Sequence, residues 1–219
     1  MKNRNRVGAI ETVFDGYRFR SRLEARWAVF FKTANIRYIY EPECFRLSDG
    51  KLYLPDFYLP QVNMRTTEDK GGIYVEVKPT EPNFDKMDYL FDLSRITGKS
   101  VLLIVGMPAF TGDSFDAEGC GHYEYSWKPP DYEHWDCCMM FMKCFKCYRV
   151  RVDFGGCCDP CEYCLKNTGE ESPCYTNQPS LVNAVKVARS YRFDNRSVIQ
   201  KRGKFYPVSY RYLRGSTGD

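Results

Sequence analysis

What the chain has least of is histidine: His122 and His134 are the only two among 219 residues. A centre built on clustered imidazoles is therefore set aside, and each His is read as an ordinary surface or core residue. Long apolar runs are missing as well, since none approaches the roughly 20 residues that a membrane-spanning helix needs. The opening "MKNRNRVGAIETVF" holds basic residues but no apolar stretch of a secretion signal, so a cytoplasmic protein with no membrane partner is expected. Strong net charge is absent too, the balance being +4. Composition excludes global disorder, because 43% hydrophobic and 16% aromatic residues suffice for a real core.

Cysteine, by contrast, is abundant and unevenly placed, with eight of eleven between Cys137 and Cys164. In a reducing compartment a disulfide framework is not expected, which leaves metal binding as the leading reading. "CFKC" at 144–147 and "CEYC" at 161–164 form two CxxC pairs separated by thirteen residues. That pattern suits one tetrahedral Zn²⁺ held by Cys144, Cys147, Cys161 and Cys164, with a β-hairpin between the pairs. "YRVRVDF" alternates as a hairpin strand should, and the glycines at 155–156 mark its turn. Cys158 and Cys161 form a competing CxxC, so the identity of the second pair stays open. Four thiolates close the coordination sphere, which makes such a zinc structural rather than catalytic. Cys137, Cys138, Cys157 and Cys174 leave room for a second metal, and incidental apolar thiols are the plainer alternative.

Positive charge is concentrated rather than large. From Lys186 to Arg214 nine Lys or Arg face one acid, Asp194, and Arg18, Arg20, Arg22 and Arg26 follow a basic N-terminus. Interleaved with Tyr and Phe, these segments suit a phosphate backbone. A solvated basic surface is the bland alternative.

Along the chain, a helix is expected from Ser21 to Thr33, with Ser21 as N-cap, Glu24 three residues on, and a stripe of Leu23, Trp27, Phe30 and Phe31. "RYIYEPECFRL", "LYLPDFYL" and "IYVEVKP" read as three strands, the last two joined by a polar loop. A second helix over 83–97 stops at Gly98, and "SVLLIVGMP" reads as a strand covered on both faces. "SLVNAVKVARSYRF" is the final helix. The order implies an α/β or α+β core with a mixed sheet. Three stretches follow: 1–108 as the core, 109–176 as a cysteine-rich module, and 177–219 as a helix with a basic tail.

Residues two apart in a strand share a face, so Tyr74, Glu76 and Lys78 point one way while Ile73, Val75 and Val77 point into a buried layer. If the preceding strand pairs antiparallel, Asp56 lies across from Glu76. Carboxylates that close repel unless a cation neutralises them, and Mg²⁺ or Mn²⁺ is the natural occupant for oxygen ligands. Glu24 borders the core-facing stripe of the first helix and can be aimed at the same place. Glu41 and Glu43 lie near and rank lower. A half-exposed Glu76–Lys78 ion pair, worth at most about 1 kcal/mol, is the plain alternative, as are a strand-start role for Asp56 and a capping role for Glu24.

A helical Glu, a Pro-Asp and a Glu-x-Lys at a strand end resemble the PD-(D/E)XK nuclease superfamily. "FRSRLEARWAVFF", "YEPE", "YLPDFYLP" and "YVEVKPTEP" together look like small nucleases of phages and mobile elements. The motif order is also similar to that of Holliday-junction resolvases and transposon-end nucleases. The resemblance spans about residues 14–108, with "ARSYRF" at 188–193 extending it. It implies a restriction-endonuclease-like mixed sheet flanked by helices, carrying a zinc-ribbon-like module. It makes Asp56 and Glu76 ligands of Mg²⁺ or Mn²⁺, Glu24 a ligand or water-mediated partner, and the Val77 carbonyl the completing ligand. Lys78 would position the attacking water and stabilise charge on phosphorus, leaving a 5′-phosphate and a 3′-hydroxyl. DNA is the implied partner, gripped through phosphates with little sequence specificity by Arg20, Arg22, Arg189, Arg192, Lys201 and Arg202. Two rivals stand beside this: a nucleic-acid-binding module without catalysis, and an RNA-directed or junction-specific nuclease acting as a homodimer.

Overall fold

A computed structural model describes residues 11–64, 71–83, 86–109, 120–125, 139–154 and 160–193. The chain opens with a hairpin of β1 (Thr12–Phe14) and β2 (Tyr17–Phe19). Its turn is Asp15-Gly16, both at positive φ, 50° and 83°, the conformation that makes Asp-Gly a strong hairpin signal. This hairpin goes beyond the expected elements. Helix α1 (Arg22–Thr33) follows as expected, with Ser21 Oγ accepting the Glu24 N–H at 3.1 Å. Its apolar stripe is buried, Trp27 and Phe31 almost completely.

Two strands expected to be continuous are each broken. "RYIYEPECFRL" divides into β3 (Ile39–Tyr40) and β4 (Phe45–Arg46), and "LYLPDFYL" into β5 (Leu52–Tyr53) and β6 (Phe57–Leu59). Pro42 and Pro55 lie in the breaks, where a residue without an N–H cannot extend a ladder. Glu41, at φ 46°, turns the chain beside the first of them. As a result β4 and β5 leave the main sheet and pair with each other.

The chain continues through β7 (Asn63–Met64), β8 (Ile73–Lys78), α2 (Asp88–Thr97), β9 (Val101–Gly106) and β10 (Cys120–Tyr125). α2 starts later than the expected residue 83 but ends where expected, on Gly98 in the left-handed region at φ 66°. The main sheet has the order β10-β9-β8-β6-β3. β8 pairs parallel with β9 across the α2 crossover and antiparallel with β6, so the protein is a mixed α/β structure.

Both faces of this sheet are covered. Ile73, Val75, Val77, Leu102 and Ile104 belong to one cluster with α1. Tyr74, Val101, Leu103 and Val105 belong to another with Leu90 and Leu93 of α2, against which Phe45 and Tyr53 of the β4–β5 hairpin pack. The face carrying Glu76 and Lys78 is therefore not a solvated one.

The remaining elements are β11 (Met139–Cys144), β12 (Val150–Phe154), α3 (Glu162–Thr168), β13 (Cys174–Tyr175) and α4 (Pro179–Ser190). A second sheet has the order β13-β11-β12-β7. β12 joins β7 in parallel, with Arg151 opposite Asn63 and Val152 opposite Met64. The first cysteine pair is itself the turn from β11 to β12, instead of lying outside a hairpin between the pairs. The glycines at 155–156, with Cys137, Cys138, Cys157 and Cys158, lie outside the described residues. α4 packs on α1, and Phe141, Val152, Leu181 and Ala184 enter the same core as α1 and β8. The three stretches read from the sequence thus share one apolar cluster, because the α1 stripe needs cover from all of them.

Candidate active site and metal centre

Three acids are buried around one end of the main sheet: Glu24, Asp56 and Glu76, at 8%, 6% and 5% exposure. The register pairs Phe57 with Val75 and Tyr58 with Tyr74, which brings Asp56, one residue before β6, level with Glu76. Asp56 Oδ2 accepts the Val77 N–H at 2.8 Å, and its Oδ1 lies 3.1 Å from Arg20 Nη2. Glu76 is held on both oxygens, by Lys78 Nζ at 2.5 Å on Oε1 and by the Tyr53 hydroxyl at 2.5 Å on Oε2. Glu24 comes from α1, in the layer on the opposite face from Glu76. Its carboxylate accepts from Ser21 Oγ and from the Tyr40 hydroxyl, each at 2.6 Å.

The electrostatics follow from burial and crowding. Asp56 holds its proton well above the usual carboxylate range, first through loss of solvent and next through repulsion by Glu76, with Glu24 adding to it and the Val77 N–H opposing. Burial and then Glu76 likewise push the Tyr53 hydroxyl well up. Burial works against the Lys78 ammonium, but Glu76 outweighs it and its pKa is raised. Tyr89 of α2 stacks 4.9 Å from Tyr53 and is pushed up to about 12 by burial and Glu76.

Arg20 bridges the rim, with Nε 2.6 Å from Glu41 Oε1 and Nη2 on Asp56. Glu43 remains exposed, accepting from the Tyr74 hydroxyl at 3.4 Å. Arg22, Arg26 and Arg189 crowd together: burial lowers the Arg26 pKa, and the charges of Arg22 and Arg189 lower it further. Arg189 also donates to the Pro108 carbonyl at 3.2 Å, and Arg26 to the carbonyls of Ala188 and Arg189 at 2.6 and 2.9 Å. Arg192 is exposed. Lys201, Arg202 and His134 lie outside the described residues. Sequence reasoning missed Tyr40, Tyr53 and Tyr89, whose phenols face the acids; the signal for the first two was a tyrosine in each short strand beside them, and for Tyr89 one in the first turn of α2.

Among the described residues, the group of three or more ligating side chains whose ligand atoms all lie within 4.8 Å is Cys144, Cys147, Cys161 and Cys164. The three acids do not form such a group, and each is held by two donors. Sγ of Cys144 is 3.7 Å from that of Cys164, and Sγ of Cys147 is 3.5 Å from that of Cys161. Tetrahedral zinc with sulfurs at about 2.3 Å sets sulfur–sulfur separations of about 3.8 Å, so the cluster can hold a metal ion such as zinc in a structural role.

The first pair sits on the β11–β12 turn, and the second is presented by the start of α3, with Cys161 as its N-cap. The N–H groups of Lys146 and Cys147 point at Cys144 Sγ at 3.4 and 3.5 Å, and Ser172 Oγ lies 3.1 Å away. Burial disfavours the Cys144 thiolate, but these hydrogen bonds outweigh it and bring its pKa down to about 6. Among the described residues no helix is long and apolar enough to cross a membrane. Comparison of the chain with known family models, curated proteins and solved structures returns no match.

Proposed function

We propose that the chain is a metal-dependent deoxyribonuclease with a restriction-endonuclease-like core, hydrolysing phosphodiester bonds with Asp56, Glu76 and Lys78 as its working group. One observation carries this reading: three acids, each under a tenth exposed, gather where two neighbouring strands end, with a lysine on one of those strands. Buried charges bring little stability of their own, so acids in this number point to a cation.

The donor set fits a hard divalent ion by charge. Glu24, Glu41, Asp56 and Glu76 face only Arg20 and Lys78 in the described ion pairs and acid contacts, a deficit of two charges once all four are ionised. Oxygen donors of this kind suit Mg²⁺ or Mn²⁺. Asp56 and Glu76 would hold the ion, with the Val77 carbonyl beside them. Glu24 would act through water, since it arrives from α1 on the opposite face of the sheet from Glu76. When bound, such an ion acidifies water and neutralises phosphate charge.

The chain's own groups do the rest. Lys78 is kept charged by Glu76 and is one-third exposed. It therefore acts as a fixed positive donor to water and to charge developing on phosphate, not as a base. Tyr53 fixes the second oxygen of Glu76. Arg20, Arg22 and Arg192 supply phosphate contacts that carry no base readout, so DNA binding weakens steeply with salt. The four-cysteine zinc braces the second sheet.

Supercoiled plasmid, single-stranded DNA, a four-way junction and RNA, each with Mg²⁺ or Mn²⁺, test the reading. Plasmid cleavage should fall by about 10²-fold or more in Glu76→Gln and in Lys78→Ala. Tight binding with no cleavage of any of the four would leave a nucleic-acid-binding module instead.

A further inference from the structure

Arg20 joins two ion pairs at the rim of the acidic site. Its side chain reaches Glu41 at 2.6 Å and Asp56 at 3.1 Å. Its backbone N–H donates to Tyr40 Oη at 3.0 Å, and that hydroxyl donates to Glu24 Oε2 at 2.6 Å. One residue thus touches three acids, directly or through one hydroxyl. Yet its own side chain is 56% exposed, while the side chain of Asp56 beneath it is only 8% exposed. The guanidinium thus meets a buried acid from the solvent side, where a DNA strand can also reach it. Glu41, its closer partner, is held at φ 46°, a backbone region that residues with a Cβ rarely adopt. The Glu41 N–H donates to the Asp56 carbonyl at 2.9 Å, so the strained residue is tied to the same acid.

We infer that Arg20 is a counter-cation standing in for the metal at Asp56, and that metal binding turns that edge of its guanidinium towards a phosphate oxygen of the DNA strand. The inference rests on the metal-dependent reading above. Arg20 Nη2 sits 3.1 Å from Asp56 Oδ1, so a cationic group already occupies an oxygen that a divalent ion at Asp56 would use. With a divalent ion held by Asp56, Arg20 Nη2 would be displaced from Oδ1. The shorter contact to Glu41 persists, so the guanidinium stays at the rim with its outer donors free. A guanidinium fork matches phosphate geometry. The order of events is therefore metal first and strand second, and Glu41 is a positioning residue that anchors Arg20 rather than a metal ligand.

Calorimetric titration of the full chain with Mn²⁺ in the absence of DNA, beside plasmid cleavage kinetics at saturating Mn²⁺, tests this. Arg20→Ala should bind Mn²⁺ about three- to tenfold more tightly than wild type, because its competitor is gone. Its kcat/KM should fall by about tenfold or more, chiefly through KM. A merely structural role would not tighten metal binding. Arg20→Lys, which keeps the charge, should bind Mn²⁺ like wild type with a raised KM, and it decides the matter if the Ala variant fails to fold. Wild type that cleaves, alongside an Arg20→Ala variant with unchanged or weaker Mn²⁺ binding or unchanged KM, overturns the assignment alone. Wild type that neither binds Mn²⁺ nor cleaves overturns the metal-dependent reading, and this inference with it.

Discussion

Replacing Asp56 by Asn should make the protein more stable and inactive in one step. Asn keeps the volume and an acceptor for the Val77 N–H, now 2.8 Å from Oδ2. What is lost is the pair to Arg20, whose side chain is 56% exposed, and such pairs are worth at most about 1 kcal/mol. What is removed is a buried charge repelled by Glu76 and Glu24, a penalty of several kcal/mol per ion in general and partly offset here by Arg20 and Lys78. The net gain is about 1–3 kcal/mol. At about 2–4 °C per kcal/mol for a chain of this size, Tm should rise by about 2–12 °C.

The melts belong in buffer without added divalent cations and without chelator, because a chelator would draw on the cysteine site as well. The sign with pH is fixed. Native Asp56 keeps its proton to higher pH than the unfolded residue, near 3.9. Wild-type stability therefore falls as pH rises through the window between the two values, and the Asn variant should lose that slope. Excess Mn²⁺ should stabilise wild type, by about 2.7 kcal/mol at one hundred times Kd, and leave the variant unmoved. A variant that melts below wild type in cation-free buffer would refute the charge deficit on which the site's reading depends.

Tyr53→Phe removes the donor to Glu76 Oε2 and should lower stability by about 1–3 kcal/mol; a denaturant midpoint equal to wild type would show that this hydrogen bond contributes nothing. Gly72→Ala places a Cβ 2.3 Å from Tyr58 Oη at a φ of +86°, so a loss of about 2 kcal/mol or more is expected in the same assay. Cys161→Ser should remove one equivalent of bound zinc, read by metal analysis, and retained zinc would mean that another residue completes the site. Trp27→Ala, at the centre of the α1 stripe, should cost about 3–5 kcal/mol and also loosen the Gly106 carbonyl it holds at 2.9 Å.

The parts of this structure that could be read in advance are those governed by local rules. The Ser21–Glu24 cap, the α1 stripe, the Gly98 stop and the apolar run of β9 each follow from residues a few positions apart. The strand breaks at Pro42 and Pro55 were equally local, but continuous aromatic alternation masked them. Pairing between distant segments could not be read. No pattern in "QVNMRTTEDKGG" announces that Asn63 and Met64 will take β12 as a parallel partner. At the acidic site, residue types and spacing pointed to Glu24, Asp56, Glu76 and Lys78. They could not show that Glu24 arrives from the opposite layer, nor that phenols of Tyr40 and Tyr53 already hold the acids. Those contacts depend on how β3 joins the edge of the sheet and how the β4–β5 hairpin packs on its face.

The docking of α4 on α1 bears on how the protein is made. Arg26, two residues beyond Glu24, closes on the carbonyls of residues 188 and 189, some 162 positions later in synthesis. Until those residues leave the ribosome, α1 has an uncovered apolar flank, and the helix that carries Glu24 lacks its final support. A growing chain therefore holds its sheet acids well before it holds them in register with Glu24. Assembly of the acidic site is thereby postponed until residues 188 and 189 have been made.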